Sequence, residues 1–134
     1  MVEREAQLPR ERPLIAAVVY NRLHAHQPLA IDATIRYATR NWTSPLTASQ
    51  LASNSPYNTR THAGLPPGPI GNPGLASIEA AARPAKVGYL YYVVKPGTCG
   101  EHSFSSSFQR FQRDSARYQA ARRAAGERSP TNCP

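Results

Sequence analysis

The segment Pro56 to Gly74, PYNTRTHAGLPPGPIGNPG, limits the fold more than any other part of the chain. Its five prolines and four glycines remove backbone donors and alternately fix and free φ. Neither a regular helix nor a central strand can run through it. A chain of 134 residues is sized for one domain. An irregular loop of this length inside one domain is usually either functional or disordered. Tyr57, Leu65 and Ile70, with the stiff pair Pro66-Pro67, favour a packed wall.

The flanking sequence supplies helices on one side and a hairpin on the other. Residues from Met1 read as the end of a helix broken at Pro9, too short to be stable alone. Glu11 to about Ala25 carries Pro13 in its first turn, and Ile15, Val18, Val19, Arg22 and Leu23 recur at helical spacing. An extended piece at Leu29 to Ile31 leads to a helical turn over Asp32 to Tyr37, with Asp32 as its expected cap. Thr47 to Ser53 and Leu75 to Ala82 read as short helices, the second ended by Pro84. Gly88 to Val94 (GYLYYVV) reads as a strand. Pro96-Gly97 turns the chain, and His102 to Ser105 returns as its partner. Ser107 to Ala125 is an amphipathic helix, with Phe108, Phe111, Ser115 and Tyr118 opposite Arg110, Arg113 and Arg117. The expected architecture is α+β, a single domain of several helices on a small sheet with a long cleft loop. Residues 1–125 form the domain, and 126–134 are expected to be a disordered tail.

The formal charge of +8 comes almost wholly from arginine. It suits an anionic polymer, nucleic acid or cell wall, and equally a solvated arginine face. No nucleic-acid-binding motif is present, so nucleic acid is not the expected partner. Cys99 and Cys133 lack metal-ligand spacing. One disulfide tying the tail to a turn, or two free thiols, both fit. No stretch approaches the ~20 apolar residues that span a bilayer, and the charged opening MVERE is not a secretory leader.

Acidic residues are few enough to weigh singly. Glu11 stands at a helix N-terminus, where offsetting the dipole suffices as a role. Glu79 is mid-helix, Asp114 lies among the arginines as a surface ion pair, and Glu101 and Glu127 fall in a turn and the tail. Glu3, Glu5 and Asp32 remain. On a helix Glu3 and Glu5 are ~200° apart, so only one faces a given cleft. Periodicity does not choose between them. No nucleophile elbow or phosphate-cradling loop is present, and His24, His26, His62 and His102 form no evident metal set. No metal or cofactor is expected.

In order, the chain reads VEREA, ERPLIAAVVYNRL, PLAIDATIRYA, SPYNTRTHAGLPPGPIGNPGLASIEAAARPAK, YLYYVV and HSFS. From Val2 to about Ser105 this resembles the MltG (YceG-like) endolytic murein transglycosylase family. That family's pattern runs as an ExE-containing helix, VFYNRL, LQSDPT, YNT with GLPPGPI.NPG, YLYFV and H.FS. This chain departs at LAIDAT, with Ala30 and Ala33 in place of Gln and Pro.

The resemblance implies an enzyme, held to the outer face of the cell membrane by an upstream anchor, that cleaves peptidoglycan glycan strands internally. The product ends in 1,6-anhydro-muramic acid, and peptidoglycan synthases are candidate partners. Residue by residue, the second glutamate of the ExE element falls on Glu5 as catalytic acid, with Glu3 in the more replaceable position. Asn21, Asp32, Tyr57, Asn58 and His102 fall on positions of the family's motifs and are the expected substrate-binding residues. Ordinary glycosidases need two carboxylates. A lytic transglycosylase uses the sugar's own C6 hydroxyl as nucleophile, so one carboxyl group can act first as acid and then as base. It must then be protonated near neutrality, which predicts a partly apolar pocket around Glu5, with the proline-rich loop as its wall. A muramidase-type hydrolase with Asp32 as second carboxylate, and a non-catalytic glycan-binding relic, are the alternatives.

Overall fold

The computed structural model describes residues 1–133; Pro134, the end of the expected tail, lies outside the described residues. Among the described residues, six helices and one two-stranded antiparallel sheet make up an α+β domain. In chain order they are α1 (Val2–Glu5), a 3₁₀ turn (Pro9–Glu11), α2 (Arg12–His24), α3 (Asp32–Thr39), α4 (Ala48–Leu51), α5 (Leu75–Ala82), β1 (Tyr91–Val94), β2 (His102–Ser105) and α6 (Phe108–Ala124).

The central element is α2. Ile15, Ala16, Ala17, Val18 and Val19 are all buried, so every face of one full turn is covered. A helix enclosed in this way packs on all sides rather than along a single stripe; α1, α5 and β1 all contact it. Below it, Val19, Leu29, Ile31, Ala33 and Ile70 form a core against which Met1, Leu23 and Tyr57 pack. Ile70 brings the proline-rich loop into that core, which makes the loop a packed wall.

The end of α2 organises both of its neighbours. The Asn21 amide donates to the carbonyls of Val87 and Tyr89, both at 2.8 Å. Arg22 Nε donates to Leu90 O at 2.6 Å, and one of its terminal nitrogens reaches Pro28 O at 3.1 Å and Leu29 O at 3.0 Å. One dipeptide thus holds the approach to β1 and the approach to α3.

In the hairpin Tyr91 pairs with Ser105, Tyr92 with Phe104 and Val94 with His102. Side chains alternate across a strand. Tyr91 stacks on Phe111 and Phe108 of α6, at ring separations of 5.1 and 5.6 Å, and Tyr92 therefore faces the opposite side. Asp114, expected in surface ion pairs, also accepts from Ser103 Oγ of β2 at 2.7 Å.

Two expectations change. Asp32 does not cap α3: Ile31 occupies the cap position without a side-chain bond, and the Asp32 carboxylate turns to Arg60 instead. The tail returns to the hairpin turn, with Gly97 N donating to Pro130 O at 2.9 Å and Asn132 N to Thr98 O at 3.0 Å. A Cys99–Cys133 disulfide closes that contact.

Candidate active site

The one-turn helix α1 has too few backbone bonds to persist by itself; its side chains hold it in place by reaching different neighbours. Met1 and Val2 line an apolar cavity of about 340 Å³ between α1, α2, α5 and the loop. Glu3 turns to α5, where its Oε2 accepts from the Ser77 hydroxyl and from Gly74 N–H at 3.4 Å. The Arg4 guanidinium lies 4.5 Å from the centre of the Trp42 ring. Glu5 points toward the hairpin, where Tyr92 donates its phenol proton to Oε2 at 2.8 Å.

The two glutamates therefore live in opposed environments. The Ser77 hydroxyl bond, then the Gly74 amide and the Arg12 and Arg4 charges, hold the Glu3 carboxyl below its ordinary value against a smaller effect of burial. A carboxylate at the N-terminus of α5 also offsets the helix dipole. Glu5 moves the other way: burial raises its pKa, and the Asp32 charge adds to the rise. The Tyr92 bond, His102 and the Met1 amine oppose the rise without reversing it. A half-buried carboxyl with no cation bound to it keeps its proton to a higher pH than an ordinary glutamate.

The wall differs from the expected one. The groups that bond to or act electrostatically on the Glu5 carboxyl come from β1, β2, α3 and the chain start. The proline-rich loop meets α1 on another face: residues Pro69 to Pro73 line a cavity of about 400 Å³ with Met1, Glu3 and Arg4.

Of the other candidates, Asp32 and His102 share the electrostatic neighbourhood of Glu5. Asp32 Oδ1 accepts from Arg60 Nε and a terminal nitrogen at 2.9 and 2.7 Å. His102 is buried, and its ring Nδ1 lies 2.7 Å from Glu11 Oε2 while its backbone N–H donates to Oε1 at 2.9 Å. Glu11 is thus a buried anchor for β2 rather than a dipole partner. Tyr57 packs on the core with its ring 5.1 Å from Tyr37, and its hydroxyl lies against Gly68, where an added Cβ would stand 3.3 Å away.

Two of the expected substrate-binding residues have their side chains engaged within the fold. Asn58 is fully buried: its amide donates to Leu51 O and Ser53 O at 3.0 and 2.8 Å, and its Oδ1 accepts from Arg60 N at 3.0 Å. It fastens the start of the loop. Asn21 spends both amide protons on the approach to β1, as described above. Tyr92 is not singled out by the sequence, and Glu11 reads there only as a helix-dipole partner. For Tyr92 a signal existed: with α6 supplying aromatic partners for one strand face, alternation puts the neighbouring tyrosine on the other.

A carboxyl whose pKa is raised by burial, hydrogen-bonded to a phenol of the hairpin, is the distinctive feature of this α+β domain. The YceG-like family model matches residues 1–117, and the chain belongs to the YceG-like family. It is 38% identical over 118 residues to the endolytic murein transglycosylase of Bacillus subtilis strain 168, covering 88% of this chain and 32% of that protein. The endolytic murein transglycosylase of Streptococcus pneumoniae D39 is 35% identical over 98 residues, 69% of this chain and 18% of its own length. A 2.6 Å crystal structure of a yceG-like protein from Listeria monocytogenes superposes with a TM-score of 0.78 at 41% identity, over 84% of this chain and 36% of that one. The chain thus spans about a third or less of the length of these relatives.

Proposed function

We propose that the chain is the catalytic portion of an endolytic peptidoglycan lytic transglycosylase, with Glu5 as its single general acid and base. The observation that carries this reading is the contrast between the two glutamates: Glu3 is engaged as an anion on α5, while burial raises the pKa of Glu5. Glu5 gives its proton to the glycosidic oxygen between MurNAc and GlcNAc as that bond breaks. The resulting carboxylate then takes the proton of the muramic acid C6 hydroxyl as O6 bonds to C1. The product is a 1,6-anhydro ring, no water is consumed, and Glu5 regains its starting state. Asp32, part-exposed beside the same carboxyl, is the candidate for contact with the sugar, and the buried His102 stands behind it as a support. The substrate places the reaction outside the cytoplasm, on the outer face of the cell membrane, with peptidoglycan synthases as candidate partners.

Digestion of purified peptidoglycan followed by mass spectrometry tests the reading. Anhydro-muropeptides are expected from the wild type and none from Glu5→Gln. Products with reducing ends would show a hydrolase, for which Asp32 would be the second carboxylate. Tight binding without products would show a glycan-binding domain. Loss of cleavage in Glu3→Gln alone would reverse the roles of the two glutamates.

A further inference from the structure

We propose that Tyr92 is a positioning residue for Glu5, its phenol occupying one carboxyl oxygen so that the other carries the proton to and from the sugar. This rests on the reading of Glu5 as acid and base.

The geometry is specific. Tyr92 donates to Oε2 at 2.8 Å, and among the described residues no donor reaches Oε1. A neutral carboxyl has one hydroxyl and one carbonyl oxygen; a phenol donating to Oε2 makes that atom the carbonyl and leaves the proton on Oε1. The donor is itself braced. Its ring meets the His102 ring edge-on at 5.3 Å and the Phe104 ring at 5.9 Å, and Glu11 fixes His102 through both its backbone N–H and its ring. A chain of contacts from the 3₁₀ turn through β2 to β1 therefore sets the direction of the phenol.

Tyr92 also remains a donor throughout the working range. Burial and the adjacent Glu5 carboxyl push its own pKa well above the ordinary value of 10.0. The charged groups acting on this pair come from every neighbouring element: the Met1 amine from the start of α1, Arg22 from α2, Asp32 from α3 and His102 from β2. Of these contacts, only the phenol is a hydrogen bond to the Glu5 side chain.

A bond donated to a carboxylate favours the ionised form. The same phenol that leaves Oε1 protonated at rest thus steadies the carboxylate formed once the glycosidic oxygen has taken the proton. Tyr92→Phe keeps the ring and removes only that donation. The Glu5 titration then moves to higher pH, and the alkaline limb of activity, where the protonated acid is lost, moves with it. Turnover falls about tenfold, the order set by one hydrogen bond, while KM is unchanged because the phenol does not touch substrate.

The direct test is carboxyl NMR on the intact protein carrying ¹³C-labelled glutamate, with Glu5→Gln identifying the Glu5 signal. A higher midpoint in Tyr92→Phe is expected. Replacement of Tyr92 by 3-fluorotyrosine, a more acidic phenol and stronger donor, is expected to lower it. An unmoved midpoint in both variants overturns the proposal, whether or not the protein cleaves glycan. Digestion kinetics give the second readout: a rise in KM with an unmoved alkaline limb would show a structural role only, and likewise overturn it. If Glu5→Gln digests like the wild type, the reading of Glu5 as catalyst fails, while the titration still decides whether Tyr92 governs its proton.

Discussion

Glu3 and Glu5 stand on one helical turn, yet partners distant in the chain push their carboxyls in opposite directions. The consequence for stability has a definite sign. Unfolded, Glu5 titrates near the ordinary 4.5; folded, its pKa is higher. The native state therefore binds the extra proton between the two values, and stability falls as pH rises through that window. Glu5→Gln retains an oxygen for the Tyr92 phenol and removes the titration. We expect thermal melts of this variant to lose that decline, leaving it more stable than the wild type above the folded pKa and giving no gain below 4.5. A variant that tracks the wild type at every pH would mean that burial does not raise the Glu5 pKa. Glu3 has the reverse sign: its contribution is present above 4.5 and fades as pH falls through its lowered value.

The elements were largely legible because each has a local cause. The Thr47 capping box with Gln50 starts α4, Pro84 follows the end of α5, and the valine- and tyrosine-rich run before Pro96 is a strand. The site was less legible, since its contacts join α1 to residues 74 and 87 positions away, and the 3₁₀ turn to β2 across 91. Helical spacing cannot choose between Glu3 and Glu5 when the choice is made by Ser77 and Tyr92. Asn21 and Asn58 illustrate a related point: an asparagine in a motif satisfies backbone groups as readily as it meets a ligand. The junction between α1 and β2 offers a test at this scale. Gly100 has φ +77°, and an added Cβ would stand 1.9 Å from Gln7 Oε1 and 2.9 Å from Gln7 Cβ. Gly100→Ala therefore combines backbone strain with a clash that displaces the segment after Glu5. A loss of about 1–3 kcal/mol is expected in denaturant unfolding, with a larger proportional loss of cleavage. A fully stable variant would mean that the segment after α1 shifts freely.

Across the whole molecule, the tail acts as a tie. Cys99 and Cys133 are separated by 34 positions, and closing a loop of that size in the unfolded chain is worth about 3–4 kcal/mol on the chain-entropy account. Cys99→Ser with Cys133→Ser, or reduction of the wild type, is expected to lower stability by that order in chemical denaturation. A change within error would mean that the tail contributes nothing to the folded state. Such a bond persists in an oxidising compartment. No helix among the described residues is long and apolar enough to cross a membrane.

The bond between Glu5 and Tyr92 spans 87 positions of the sequence, and such distant meetings are slow to form because a large loop must close first. A nascent or partly unfolded chain thus keeps this carboxyl and this phenol apart. The surroundings of the Glu5 carboxyl are therefore put together only when the fold is complete.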